Sequence, residues 1–287
     1  MVSGSARRAP RASAILGQHQ LPMTLLLSLT SRSLTSLLDP AADPPRTLFD
    51  APGFASEELG LRGLSLNVDM LAGFGAADLD SLRHRADQAG CPCLVLVDDT
   101  LLEVGNSDVA VTDAASERLG RLASAASRLG CNAISIRVSL PRGDEDAFDH
   151  GVEVLQDALI RIERQELNLL LAAGPGATDS SEGLSTLIKQ VGGFRIGALP
   201  TYGDPMAAED PIEYIRKMAP YAGAIHLRCE GFKRGGAHRG LDLAAGVTAA
   251  KAVGYQSNLV IDYVGEGKPA KEIAMAAEVL QAAIDAD

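Results

Sequence analysis

The sequence has few aromatic residues and a deficit of basic ones. It contains no tryptophan, and only 4% of its 287 residues are aromatic. The 26 Lys and Arg residues stand against 37 Asp and Glu residues, which gives a formal net charge of −11. Because affinity for nucleic acids depends on basic surface that contacts phosphates, we expect no nucleic-acid partner.

Long hydrophobic runs and paired cysteine motifs are also missing. No apolar stretch approaches the roughly 18 residues that a membrane span requires, so we expect no membrane partner. Cys91, Cys93, Cys131 and Cys229 form neither a disulfide framework nor a paired zinc-binding motif. This cysteine usage predicts a protein of the reducing cytoplasm.

Residues 1–22 differ in composition from the rest of the chain. They carry Arg7, Arg8 and Arg11 without any acidic residue, and they lack the sustained apolar stretch of a signal peptide. We therefore expect a disordered tail, or a misassigned start that precedes a true one at Met23.

From Met23 onward, short β-rich runs alternate with segments of helical periodicity. After the fourth run, for example, Val152, Leu155, Leu159 and Ile162 recur at spacings of three and four. Since 46% of the residues are hydrophobic, the chain can bury a large core. The eight predicted strands are Thr24–Ser31, Gly63–Leu71, Pro92–Asp99, Asn132–Ser139, Leu167–Gly174, Phe194–Tyr202, Ala224–Cys229 and Asn258–Val264.

Eight successive strand–helix units predict an α/β fold, a (β/α)₈ TIM barrel that forms a single domain over residues 23–287. The alternative is an open, doubly wound sheet. That fold usually has a glycine-rich first turn, whereas the first turn here reads Ser31-Arg32-Ser33-Leu34. We therefore favour the barrel.

The carboxyl ends of barrel strands normally carry the chemistry, and two residues there are candidate catalytic groups. His226 lies in the apolar run AIHLRCEGF, and Asp262 lies in LVIDYVGEG. A carboxylate in an apolar strand needs a partner or a function, because its burial is costly. A histidine in such a strand is either a hydrogen-bonded core residue or a functional one.

Further polar residues near the strand ends are candidates for substrate binding. Arg137 interrupts an apolar strand, and a structural ion pair with Asp69 or Asp99 is as reasonable for it as a substrate contact. The segment 226–239 is locally basic, so it either attracts an anionic ligand or is a solvated loop. The candidates are Asp69, Asp99, Arg137, Thr201, Arg228 and Lys233.

Three segments resemble the xylose isomerase-like superfamily of sugar phosphate isomerases and epimerases. Residues 254–284, GYQSNLVIDYVGEGKPAKEIAMAAEVLQAAI, are similar to the end of that family's barrel. LPTYGD at 199–204 resembles its Pro-Asp-Phe-Gly-Asn segment, and PYAGAIHLRCEGF at 220–232 resembles its histidine-bearing seventh strand. The likeness is strong over residues 150–285 and looser over 23–149.

The resemblance implies a divalent metal, Mg²⁺ or Mn²⁺, held by Glu, Asp, His and Glu from strands five to eight. Matched to this chain, those positions carry Leu171, Thr201, His226 and Asp262. Two of the four ligands are therefore lost, and leucine offers no oxygen to a hard cation. We expect no tightly bound metal, with His226, Asp262 and Asp204 as weak candidate ligands.

The resemblance implies an isomerase or epimerase-like barrel that acts on or binds a small, anionic carbohydrate. In that role His226 and Asp262 would move a proton, and Arg228 or Arg137 would polarise a carbonyl group in place of the metal. The alternative is a catalytically inactive barrel that serves as a ligand-binding or partner subunit. A homo-oligomer is compatible with either. The superfamily's multi-metal DNA-repair endonucleases are excluded, because the chain has only five histidines.

Overall fold

The computed structural model describes residues 25–39, 41 and 46–286, so the predicted tail 1–22 lies outside the described residues. All of the strands in this part pair in parallel within one sheet. They are β1 (Leu26–Thr30), β2 (Leu64–Asn67), β3 (Cys93–Leu102), β4 (Ala133–Val138), β5 (Asn168–Ala172), β6 (Ile196–Ala198), β7 (Thr201–Tyr202), β8 (Ala224–Cys229) and β9 (Asn258–Tyr263).

The sheet closes on itself because β6 and β7 are two pieces of the sixth predicted strand. The strand order runs β6-β5-β4-β3-β2-β1-β9-β8-β7, so the two pieces stand at its two ends. Leu199 and Pro200 separate them, and proline has no N–H to donate to a neighbouring strand. The Leu199 N–H still bonds to Leu171, while the Pro200 carbonyl accepts from the His226 N–H. The prediction of a single-domain (β/α)₈ barrel is confirmed.

Helices cover the outside of the barrel, and side-chain caps mark where several of them begin. Asp108, Asp144, Ser180, Asp210 and Asp242 each accept a hydrogen bond from a backbone N–H of the first turn. The helices are α1 (Ala51–Gly53), α2 (Ala76–Gln88), α3 (Val109–Leu129), α4 (Glu145–Ile162), α5 (Ser181–Val191), α6 (Pro211–Met218), α7 (Leu243–Lys251) and α8 (Pro269–Asp285).

The hydrophobic core has two parts, which the sheet separates. The larger part lies between the outer face of the sheet and the helices. The smaller part fills the barrel and consists of Val95, Val97, Ala133, Leu170, Leu199, Ala224 and Val260. Because side chains alternate along a strand, these residues identify the positions that face the barrel interior.

Two further properties of the described residues bear on the class of protein. None of the described helices combines the length and hydropathy that crossing a bilayer would need. The four cysteines are all free and buried.

Candidate functional site

Alternation along the strands brings a group of polar side chains together at the carboxyl end of the barrel. Val260 and Ala224 face the interior, so Asp262 and the pair His226 and Arg228 face it too. The same periodicity brings Arg137 inward on β4. The polar residues at the inward strand ends are Thr30, Asn67, Arg137, Thr201, His226, Arg228 and Asp262, with Asp99 beside them.

His226 is buried one strand repeat below Arg228. Its side chain is enclosed, and Nε2 has no hydrogen-bond partner among the described residues. Burial lowers the pKa of His226 below its ordinary 6.5, and the Arg137 charge acts in the same direction, against Asp262 and Asp99. His226 is therefore a neutral imidazole at pH 7, the form in which one ring nitrogen can accept a proton.

Asp262 lies near the end of β9, next to β1, and its position is fixed by Thr30 at the end of β1 and Ser33 in the turn that follows. The Thr30 hydroxyl donates to Asp262 Oδ1 at 3.0 Å, and the Thr30 and Ser33 hydroxyls lie 2.7 Å apart. Ser33 Oγ also accepts from the Tyr263 N–H at 2.7 Å. The β9 terminus is thereby tied to the first turn of the chain. Asp262 stands level with Arg228, and His226 lies one repeat deeper.

Arg137 is the centre of an ion-pair network at the barrel mouth. Its Nη1 donates to Asp204 Oδ2 at 3.1 Å and to the Ala173 carbonyl, and its Nη2 lies 3.8 Å from Asp99 Oδ1. Asp99 in turn pairs with Arg32 at 2.7 Å. Of the alternatives left open for Arg137, the ion pair with Asp99 is present, and Arg137 also spans the end of β5.

A cavity of about 340 Å³ opens beside this network, between the segments that follow β7 and β8. This volume lies within the usual range for small-molecule sites. Thr201, Asp204 and Arg228 contribute to its wall, together with Tyr214 and Glu230. The Tyr214 hydroxyl is buried with no partner among the described residues. A ligand in this cavity would meet a mostly apolar surface with a few polar groups that the barrel holds in place.

Four of the six predicted binding residues do not line that cavity: Arg137 and Asp99 belong to the ion-pair network beside it, and Asp69 and Lys233 are exposed in turns. Asp69 follows β2 in a 3₁₀ turn, Val68–Leu71, because the second strand ends at Asn67. Its exposed carboxylate is 3.4 Å from Arg32. Lys233 is exposed in a tight turn closed by a hydrogen bond from the Gly236 N–H to its carbonyl. Of the basic residues in 226–239, Arg228 lines the cavity wall.

The fifth strand requires a correction by one residue. Leu171 packs in the outer core with the helices, whereas Leu170 faces the barrel interior. The inward position at the end of β5 is therefore Ala172, which stands opposite Arg137 in the register. Like Leu171, Ala172 offers no oxygen ligand from its side chain.

A divalent metal of the kind that the resemblance implies does not fit these residues. Asp204 is held by Arg137 and by the Met206 N–H, and Asp262 accepts from Thr30. No three His, Cys, Asp or Glu side chains in the described ranges are arranged to hold a metal ion. Hard cations need several oxygen ligands, and here the nearest carboxylates already serve other partners.

Two residues of the mouth were missed in the sequence. Arg32 bridges Asp69 and Asp99, and its only sequence signal is a basic residue directly after the first strand. Tyr214 contributes to the cavity wall from the helix α6, whereas the sequence points to candidates only at the ends of strands. Both depend on contacts between distant parts of the chain.

Comparison with known proteins shows a likeness of structure alone. No protein-family model matches the chain, and neither does any curated protein. Solved structures match over most of their length. D-allulose 3-epimerase from Methylomonas sp. superimposes with a TM-score of 0.72 at 11% identity, over 91% of this chain and 99% of that one.

Two other solved structures extend this likeness. A xylose isomerase domain protein from Planctomyces limnophilus matches with a TM-score of 0.65 and 19% identity, over 91% of this chain and 97% of its own. The IolI protein, solved with a zinc atom, matches with a TM-score of 0.65 and 15% identity, over 90% of this chain and 96% of that one. The chain thus has the fold of the xylose isomerase-like barrels, as the sequence resemblance predicts.

Proposed function

We propose that the protein binds a small carbohydrate at the carboxyl end of its barrel and acts on it as an isomerase or epimerase, without the divalent metal of the proteins it resembles. The observation that carries this proposal is the set of inward polar side chains beside a cavity of about 340 Å³. Structural neighbours that include D-allulose 3-epimerase support the substrate class. Four free, buried cysteines support a cytoplasmic location.

In this function, the cavity residues would bind the hydroxyl groups of the ligand. Thr201 offers a hydroxyl, and Glu230 offers carboxylate oxygens. Arg228 is the one basic side chain among the described residues that line the wall, and its partner is Glu230 at 3.6 Å. An anionic group on the ligand would therefore contact Arg228, and a neutral sugar would rely on the hydroxyls and carboxylates.

The chemical step of an isomerase moves a proton at a carbon next to a carbonyl group, which requires a base near that carbon. Neutral His226 would accept the proton, and Asp262 would stabilise the imidazolium that forms. The alternative function is an inactive barrel that binds a ligand or a partner subunit. The enclosed Nε2 of His226 favours that alternative, because Arg228 and not His226 lines the cavity.

Ligand binding can be tested with a thermal-shift screen of ketoses, sugar acids and sugar phosphates. We expect at least one of these sugars to raise the melting temperature, and Arg228→Ala to weaken an anionic ligand by at least tenfold. Arg234→Ala is the matched control, because it removes the same charge from an exposed position in the loop that follows β8. Equal losses in the two variants would mean that Arg228 does not contact the ligand.

Catalysis can be tested by incorporation of deuterium from heavy water into the stabilising sugar. The wild-type protein should exchange the hydrogen next to the carbonyl, and His226→Gln should abolish the exchange. His150→Gln on α4 is the control, because that histidine is half-exposed on a helix. Sugar binding without any exchange would support the inactive barrel.

A further inference from the structure

The Arg137 guanidinium lies where the barrel mouth lacks a carboxylate from the fifth strand. Its side chain is 19% exposed, and it reaches from β4 past the Ala173 carbonyl to Asp204. On the other side of β4, its Nη2 lies 3.8 Å from Asp99 Oδ1 of β3. One fixed cation therefore joins the strand ends on both sides of β5.

The carboxylates around Arg137 have few free oxygens. The Asp204 side chain is 3% exposed. Its Oδ2 accepts a hydrogen bond from Arg137, and its Oδ1 accepts one from the Met206 N–H at 2.9 Å. Asp99 gives Oδ2 to Arg32. Because like charges repel strongly where solvent is excluded, a divalent cation among these groups would have to displace the guanidinium.

We infer that Arg137 supplies the positive charge that a divalent metal would otherwise provide at this mouth, and that it excludes such a metal from the site. The guanidinium carries five N–H groups in a planar fork, and its three contacts use only some of them. A ligand carbonyl or hydroxyl oxygen can accept from these. That last step rests on the proposed function, whereas the exclusion of metal does not.

The exclusion of metal can be tested on the full chain by thermal shift and by calorimetric titration with Mn²⁺, Mg²⁺ and Zn²⁺ after treatment with a chelator. The melting temperature of the wild-type protein should be unchanged by chelator and by each metal. Stoichiometric metal in protein purified without chelator, or a rise in melting temperature with any of the three, would overturn the inference. This measurement needs no variant.

Two variants test whether Arg137 is the cause. Arg137→Met removes the charge but keeps much of the side-chain volume, which leaves Asp99 and Asp204 available as ligands. We expect it to gain Mn²⁺ affinity at least tenfold over the wild-type protein, and Arg137→Lys, which keeps a charge, to gain none. The role of Arg137 would be refuted if a folded Arg137→Met protein did not bind Mn²⁺ more tightly than the wild-type protein. It would also be refuted if both variants gained the same Mn²⁺ affinity. If Arg137→Met does not fold, Arg137→Gln also removes the charge, and the same gain in Mn²⁺ affinity is expected of it.

Sugar binding separates this inference from the proposed function. If the protein binds neither metals nor sugars, the proposed function is refuted and the exclusion of metal is supported. Sugar binding that persists in chelator and falls at least tenfold in Arg137→Met supports both. Sugar binding that depends on added metal would overturn the present inference and leave the carbohydrate function intact.

Discussion

The four cysteine side chains are buried in the protein, and this sets their reactivity. Burial raises the pKa of Cys91 and Cys93 to about 12 and that of Cys229 to about 11. Because the thiolate is the reactive species, a thiol with such a pKa is almost fully protonated at pH 8. The cysteines of the folded protein are therefore structural residues of the core.

Thiol reactivity should accordingly report unfolding. We expect Ellman's reagent at pH 8 to label none of the four thiols quickly in the native protein, and all four in guanidinium chloride. Labelling should follow the same denaturant midpoint as circular dichroism. Rapid reaction of even one thiol in the native protein would contradict the burial of that cysteine.

The polar cluster at the mouth shows what residue-scale interpretation of a sequence can and cannot predict. Arg137, His226 and Asp262 could be found because each interrupts an apolar strand. The inward parity of β5 could not be predicted, because LNLLLAAG is apolar on both faces and either alternation fits. Arg32 was missed because its partners lie 37 and 67 residues further along the chain, at Asp69 and Asp99.

At the scale of elements, a buried ion pair fastens α3 to β3. The Arg118 Nη2 donates to Asp98 Oδ1 at 2.9 Å, and the Asp98 side chain is 3% exposed. Although burial acts to raise it, the pKa of Asp98 is lowered overall by its hydrogen bonds from Arg118 and Thr100. The charged carboxylate is thus the form that the fold stabilises.

Loss of this buried pair should cost more than loss of an exposed one. We expect Asp98→Ala to lower the free energy of unfolding by about 2–3 kcal/mol, because it leaves Arg118 without its partner. Asp80→Ala is the control: Asp80 pairs with Arg128 at 2.9 Å, but both side chains are about half exposed. That change should cost less than about 1 kcal/mol in urea unfolding. Equal losses in the free energy of unfolding would show that the buried pair stabilises the protein no more than the exposed one.

The loop between β5 and α5 is held tightly against the end of β4. Gly176 has φ of +89°, and the Ala177 N–H donates to the Leu140 carbonyl at 2.8 Å. A Cβ at position 176 would overlap that same carbonyl oxygen. The loop therefore needs glycine both for its backbone conformation and for its close approach.

Gly176→Ala should consequently destabilise the protein by about 3 kcal/mol or more, because strain and overlap act together. Gly143→Ala is the matched control, since Gly143 has φ of +74° but open space around its Cβ position. We expect about 1–2 kcal/mol there from the left-handed backbone alone. The two free energies of unfolding, measured in guanidinium chloride, separate overlap from strain, and similar values would contradict the close approach.

At the scale of the whole molecule, the barrel was predictable because its signals repeat. Each of the eight predicted strands overlaps an observed one, since glycine-punctuated helices and β-rich runs alternate along the chain. The gap at Leu199–Pro200 divides the sixth strand but does not change the topology. Closure brings the two ends of the sheet together and creates the shared mouth, which is why the site residues come from most of the strands.

The pH dependence of overall stability should carry a signature of the buried histidine. Burial lowers the pKa of His226 below 6.5, so at mildly acidic pH the unfolded chain binds a proton that the folded protein does not. Under that condition the free energy of unfolding rises with pH. The stabilisation is complete above the unfolded pKa near 6.5 and is lost progressively as the pH falls below it.

We expect the free energy of unfolding to fall between pH 7 and pH 5 by up to about 1.4 kcal/mol per pH unit through His226. His226→Gln should flatten this dependence, because glutamine does not titrate. Asp98 contributes a separate loss only well below this range, since its pKa is lowered from 3.8. Urea unfolding at half-unit pH steps measures the slopes. A His226→Gln slope equal to that of the wild-type protein would mean that the pKa of His226 does not differ between the folded and unfolded states, and would contradict the effect of burial on this imidazole.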